Sequence, residues 1–190
     1  MMSVRIAIVL SAVTCLGAEL SIGSRAPEFE LRTVEGELAS SASLRANAQV
    51  TVVGFVAAQC PVTNAYNQRM IALYKQFSSR GVAFVLVNSN SNETAEEMKL
   101  YAKQAALTYP VYRDAGNRVA DLFGAQTTPE IFVLDAEGVV RYHGAIDDAQ
   151  NEARVRVHGL RLAIEALLAG KQVEPARTKA FGCTLHRVRT

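Results

Sequence analysis

The chain has no tryptophan, and only three cysteines and five prolines in 190 residues. Aromatic residues make up 7% and form no pairs or platforms, so no surface for stacking bases stands out. Net charge is +2 without any long basic run, which leaves no electrostatic reason to expect nucleic acid as a partner. Three histidines, His143, His158 and His186, are scattered. His186 follows Cys183 closely, but one Cys and one His are too few for a structural zinc site, so no metal is expected. No residue pattern implies an organic cofactor. Internal repeats and low-complexity segments are also missing. What remains is 49% hydrophobic and 20% charged, the composition of one ordinary folded domain.

The first 18 residues read as a signal peptide. Arg5 supplies the positive start, and an apolar run over 6–16 is too short to span a bilayer by itself. Small residues at Gly17 and Ala18 offer a cleavage point, although Leu16 sits where a small residue is preferred for a cut after Ala18. Acylation of Cys15, or an uncleaved anchor, are the alternatives. Export to a periplasmic or extracellular location follows. Cleavage leaves two cysteines, Cys60 and Cys183, and an even pair in an exported protein permits a disulfide. The folded domain is expected over 19–170, with a loose C-terminal tail over 171–190 that carries Cys183.

The chain is organised around residues 50–64. Val50-Thr51-Val52-Val53-Gly54-Phe55 is apolar without alternation, as in a central strand covered on both faces. It leads to Cys60, then Pro61, then a helical pattern over 64–79 in which Tyr66, Met70, Leu73, Tyr74 and Phe77 share one face. A cysteine delivered to a helix N-terminus meets unpaired amides and the positive end of the helix dipole. Both stabilise a thiolate. The bland alternative is a buried structural cysteine.

A second buried strand is expected over 82–87, followed by the polar loop Asn88-Ser89-Asn90-Ser91-Asn92. A helix over 94–106 and a short extended piece at 109–112 come next. A helical turn at 117–123 precedes Thr127-Thr128-Pro129-Glu130 and the apolar strand 131–134. Asp135-Ala136-Glu137-Gly138 reads as a hairpin turn, returning through 139–143. A last long helix is expected over 151–169. Strand, helix, strand, helix, hairpin, helix is the order of an α/β protein, with a mixed central sheet and helices on both faces.

Four pieces of this order resemble the thioredoxin-fold superfamily, on its peroxiredoxin-like or redoxin (AhpC/TSA-type) branch. They are Phe55 followed five residues later by Cys60, Thr128-Pro129 before an apolar strand, the Asp135-x-x-Gly138 hairpin, and the tail Thr178-Lys179-Ala180-Phe181-Gly182-Cys183. The resemblance implies a thioredoxin-like fold, with Pro129 in the cis form beside Cys60. It also implies that the Thr128 backbone is free to pair with an extended substrate. Pro61 and Thr63 would shape the helix start.

The chain departs from both branches. Thr63 stands where thioredoxins carry their second cysteine. Ala57 stands where peroxiredoxins carry a hydroxyl residue, and Pro129 where they carry an arginine. Peroxide reduction needs donors to the breaking O–O bond as well as a thiolate. The reading is therefore a thiol–disulfide oxidoreductase with Cys60 as nucleophile. Cys183 is the one candidate left in the mature chain to resolve a mixed disulfide, and packing quietly or sitting exposed is its alternative. Partners would be a thiol or disulfide protein, or a small thiol or peroxide. A peroxiredoxin-type thiol peroxidase with antioxidant activity and a non-catalytic binding module are the competing readings. Glu130 reads either as a proton acceptor near the sulfur or as a solvated strand-end charge.

Overall fold

The computed structural model describes residues 20–189. The expected signal peptide and Cys15 fall outside the described residues. Nine strands and five helices are found there, in the order β1 (Glu30–Thr33), β2 (Leu38–Ser40), α1 (Ser41–Arg45), β3 (Val50–Phe55), α2 (Pro61–Phe77), β4 (Val82–Asn88), α3 (Ala95–Gln104), β5 (Val111–Arg113), α4 (Arg118–Phe123), β6 (Thr127–Thr128), β7 (Glu130–Asp135), β8 (Val140–Gly144), α5 (Gly159–Leu168) and β9 (Cys183–Thr184). Seven strands form one sheet in the order β2-β1-β5-β4-β3-β7-β8, and β6 pairs separately with β9.

β3 runs parallel to β4 on one side and antiparallel to β7 on the other. This double pairing buries the strand on both faces and explains its unbroken apolar sequence. Side chains alternate across the sheet, so the strand feeds two cores. Val50 and Val52, with Ile131 and Val133 of β7, pack under Tyr66, Met70 and Phe77 of α2 and Leu160 and Ile164 of α5. Val53 and Phe55, with Phe132 and Leu134, pack under Val119, Ala120 and Phe123 of α4. The expected mixed sheet with helices on both faces is therefore what the chain forms.

Two helices differ from expectation. α2 begins at Pro61, three residues before the expected start, because proline's fixed φ suits the first helical position and its missing N–H costs nothing there. Cys60 is thereby the N-cap itself. The last helix is the shorter α5, preceded by a single turn of 3-10 helix at Glu152–Arg154. Between them Asp148 captures the chain: its carboxylate accepts the Arg156 N–H at 2.9 Å, and its own N–H donates to the Val157 carbonyl at 3.0 Å. Two β-branched residues, Val155 and Val157, favour that extended path. α3 starts within a residue of its expected position, and Thr94 caps it in a reciprocal box with Glu97.

Phe132 holds the second core together. Its ring meets Phe123 edge-on at 5.1 Å and Phe55 at 6.0 Å, and it stacks on His143 at 4.1 Å. Phe132→Ala is expected to lower the unfolding free energy by about 3–5 kcal/mol. Urea denaturation would read this as a lower midpoint with an unchanged slope.

Candidate active site

Cys60 sits where β3 gives way to α2. Pro61 has no N–H, so the first free amides of the helix belong to Val62 and Thr63. The Thr63 N–H points at the Cys60 sulfur, 3.4 Å away. The Val62 N–H lowers the pKa of a different sulfur, that of Cys183. One helix N-terminus therefore supplies an amide to each cysteine.

The Thr128–Pro129 bond is cis, and this loop faces the helix start. The Cys60 thiol donates to the Thr128 carbonyl at 3.0 Å. Thr63 and Thr128 also present their hydroxyls to the sulfur. Both hydroxyl oxygens are buried without a hydrogen-bonded partner of their own. A buried hydroxyl left in this state is costly, and an anion beside it relieves the cost. Burial by itself raises the Cys60 pKa. The Cys183 thiol, the Thr63 amide and the nearby Thr128 and Thr63 side chains more than offset it and leave the Cys60 thiol below its ordinary value. Cys183 moves the other way. Burial, its bond to the Cys60 sulfur and that sulfur's negative charge all raise it, against the Val62 amide.

Where a loose tail is expected, the structure shows a pinned one. β9 pairs antiparallel with β6, with Thr128 opposite Cys183 and Thr127 opposite Thr184. The Thr128 backbone, expected to be open to a substrate, is paired with the chain's own tail. Upstream, the tail exchanges backbone hydrogen bonds with His143: His143 N–H to Ala176 O and Thr178 N–H to His143 O, both 3.0 Å. Downstream, the Ser91 N–H donates to His186 O at 3.0 Å, and Asn90 Oδ1 accepts the His186 N–H at 2.8 Å. Asn117 accepts the Val188 N–H at 2.8 Å, and Leu185 is buried at 3% exposure. Gly182 makes the close approach possible, because a Cβ there would land on the Thr128 carbonyl oxygen.

All six residues read from the sequence, Cys60, Pro61, Thr63, Thr128, Pro129 and Cys183, thus come together. Glu130 is neither solvated nor beside the sulfur as an open base. It is buried, bonds His143 Nε2 at 2.7 Å, and accepts the Gln126 and Thr127 N–H groups at 2.8 and 2.9 Å. Burial raises its pKa, but the His143 bond, the two amides and the His143 charge outweigh that and hold it below the usual carboxylate range. It latches the loop that carries Thr128.

Sequence reasoning missed Glu93. This carboxylate is 2% exposed and accepts the Ala58 N–H at 3.0 Å and the Gln59 N–H at 2.7 Å. Asn88 bonds it from the side while also donating to Val56 O at 3.3 Å. These bonds set the turn that delivers Cys60. The polar run 88–92 was the available signal, but nothing in it says that Glu93 folds inward. Among the described residues, no group of three His, Cys, Asp or Glu converges in a way that would hold a metal ion.

A mixed sheet of this order, with a cysteine at the head of its first long helix and a cis-proline loop across from it, places the chain among thioredoxin-fold proteins. The AhpC/TSA family profile matches residues 22–143, and the chain belongs to that family. Among curated relatives, the thiol-disulfide oxidoreductase ResA of Halalkalibacterium halodurans is 25% identical over 122 residues, covering 64% of this chain and 67% of that protein. Chloroplastic peroxiredoxin Q of Oryza sativa subsp. japonica is 29% identical over 131 residues, covering 65% and 58%. A hypothetical protein of Sinorhizobium meliloti 1021, solved by crystallography, is 29% identical with a TM-score of 0.83, covering 91% of this chain and 98% of that one.

Two outcomes test this geometry. Gly182→Ala is expected to lift β9 from β6 at a cost of about 1–3 kcal/mol. Cys60 alkylation would then quicken and its midpoint pH would climb toward that of an ordinary thiol, read by mass spectrometry across pH. Glu130→Gln is expected to cost about 1–3 kcal/mol at neutral pH. Because the folded pKa is depressed, the carboxylate's contribution is complete above the unfolded value of about 4.3 and fades as pH falls through the folded one. The penalty in urea denaturation should therefore shrink at pH 3 relative to pH 7.

Proposed function

We propose that the protein is an exported thiol–disulfide oxidoreductase in which Cys60 is the nucleophilic sulfur and Cys183 its redox partner. The two would cycle between a dithiol and an intramolecular disulfide. The observation that carries this reading is that one residue meets both cysteines: Thr128 pairs with Cys183 across the β6–β9 ladder, and its carbonyl accepts the Cys60 thiol at 3.0 Å. In the dithiol both cysteines are free. Cys60, with its lowered pKa, ionises more readily than Cys183, whose pKa is raised, and oxidation would join the two. Glu93 and Glu130 would position the two loops that frame the sulfur. Export rests on the N-terminal signal pattern. The ResA relative, named as a thiol-disulfide oxidoreductase, supports the reaction class.

The peroxiredoxin Q relative supports thiol peroxidase activity as a second reading. The groups set around the sulfur are amides, hydroxyls and a thiol, with Ala57 and Pro129 at the positions where that chemistry takes its hydroxyl and arginine. Thiol–disulfide exchange needs only the thiolate and an accessible second sulfur.

Mild oxidation followed by non-reducing peptide mapping should recover Cys60 linked to Cys183; two free thiols would count against the reading. Cys60→Ser and Cys183→Ser should each lower turnover on a protein disulfide by at least about a hundredfold with dithiothreitol as electron donor. A fast Cys60-dependent reaction with hydrogen peroxide in stopped flow would favour the peroxidase instead.

A further inference from the structure

The two sulfurs are not equally reachable. Cys60 is 2% exposed, roofed by the Thr128–Pro129 loop and by β9. Cys183 is half-buried, on a strand whose neighbours Gly182 and Thr184 are exposed. An incoming segment that needed the Thr128 backbone would first have to strip off β9. That strand is held upstream through His143 and downstream through Ser91, Asn90 and Asn117. A partner that meets Cys183 needs none of this.

We propose that the partner exchanges with Cys183, and that Cys60 is an inner sulfur that never carries the mixed disulfide. This rests on the thiol–disulfide reading above. In the reductive direction, a partner thiolate attacks the Cys183 sulfur of the oxidised pair. The new partner–Cys183 bond forms as the Cys60–Cys183 bond breaks, and the electron pair leaves on Cys60 as a thiolate. The Thr63 amide and the Thr63 and Thr128 hydroxyls receive that charge. A second partner thiolate then attacks the partner's own sulfur. Cys183 leaves with its electron pair, held by the Val62 amide, and takes a proton. Two partner thiols become one partner disulfide and the protein gains two electrons; one thiol proton goes to Cys183, and the other goes to water or to the Cys60 sulfur, which as a thiol donates to the Thr128 carbonyl. The reverse direction runs the same steps backward, with the Cys60 thiolate closing on Cys183.

The leaving-group order agrees with the exposure. Exchange is faster when the departing sulfur is the better-stabilised thiolate, and Cys60 is that sulfur. Here the tail covers that cysteine and presents its own in its place.

Oxidised wild-type protein, treated briefly with glutathione, quenched in acid and alkylated with N-ethylmaleimide, distinguishes the two sulfurs by peptide mapping. The expected product carries glutathione on Cys183 and maleimide on Cys60, in at least about tenfold excess over the opposite pattern. Glutathione on Cys60 would overturn the inference while leaving the disulfide reading intact. Oxidised protein with no Cys60–Cys183 bond at the outset would overturn both.

Discussion

Four residues paired backbone to backbone hold the site in its form. Thr127 and Thr128 on one side meet Thr184 and Cys183 on the other. Without that short ladder, Cys60 would be an N-cap cysteine opening toward solvent, and Cys183 would be a thiol on a trailing segment. With it, the two sulfurs share one small volume and one helix N-terminus. The ladder is brief, so its stability comes from outside it: the His143 bonds before it, and the Asn90, Ser91 and Asn117 bonds after it. Glu130 fixes the other side by accepting the amides of Gln126 and Thr127.

The electrostatics follow from the same arrangement. A buried sulfur pays for desolvation when ionised, so burial alone argues against a thiolate. Directed hydrogen bonds reverse the balance at Cys60 but not at Cys183, which has one amide and a negative neighbour. The two pKa values are thus pushed apart, Cys60 toward the anion and Cys183 toward the thiol. This is the asymmetry that thiol exchange exploits, since a stabilised thiolate is a good leaving group as well as a nucleophile. Family members that use a second cysteine on the same helix obtain it within one turn. This chain obtains it from residues far along the sequence.

Most of the architecture was legible because its signals are local. The β3 and β4 runs are apolar throughout, which only a strand covered on both faces requires. The α2 stripe and the Asp135–Gly138 turn are short-range patterns with a physical cause. The misreadings arose where a distant or polar contact overrode the pattern. Asp148 broke the expected last helix by capturing Arg156 and Val157. The Asn88–Asn90 run looked like a simple turn, yet Asn88 braces Glu93 and Asn90 anchors the tail. Glu130 looked like a strand-end charge, and His143, on the returning strand of the hairpin thirteen residues later, was its unseen partner.

The sequence by itself determined the α/β order, the strand-to-helix placement of Cys60 and the Thr128-Pro129 entry to the later strand. Each of these depends on neighbours within a few residues, where propensity and spacing act directly. Only the tertiary structure decided that Cys183 lies against Cys60, that the tail lines the Thr128 backbone, and that Glu93 and Glu130 turn inward. Those are contacts between segments far apart in the chain, selected by which buried polar groups can satisfy one another once the sheet has formed.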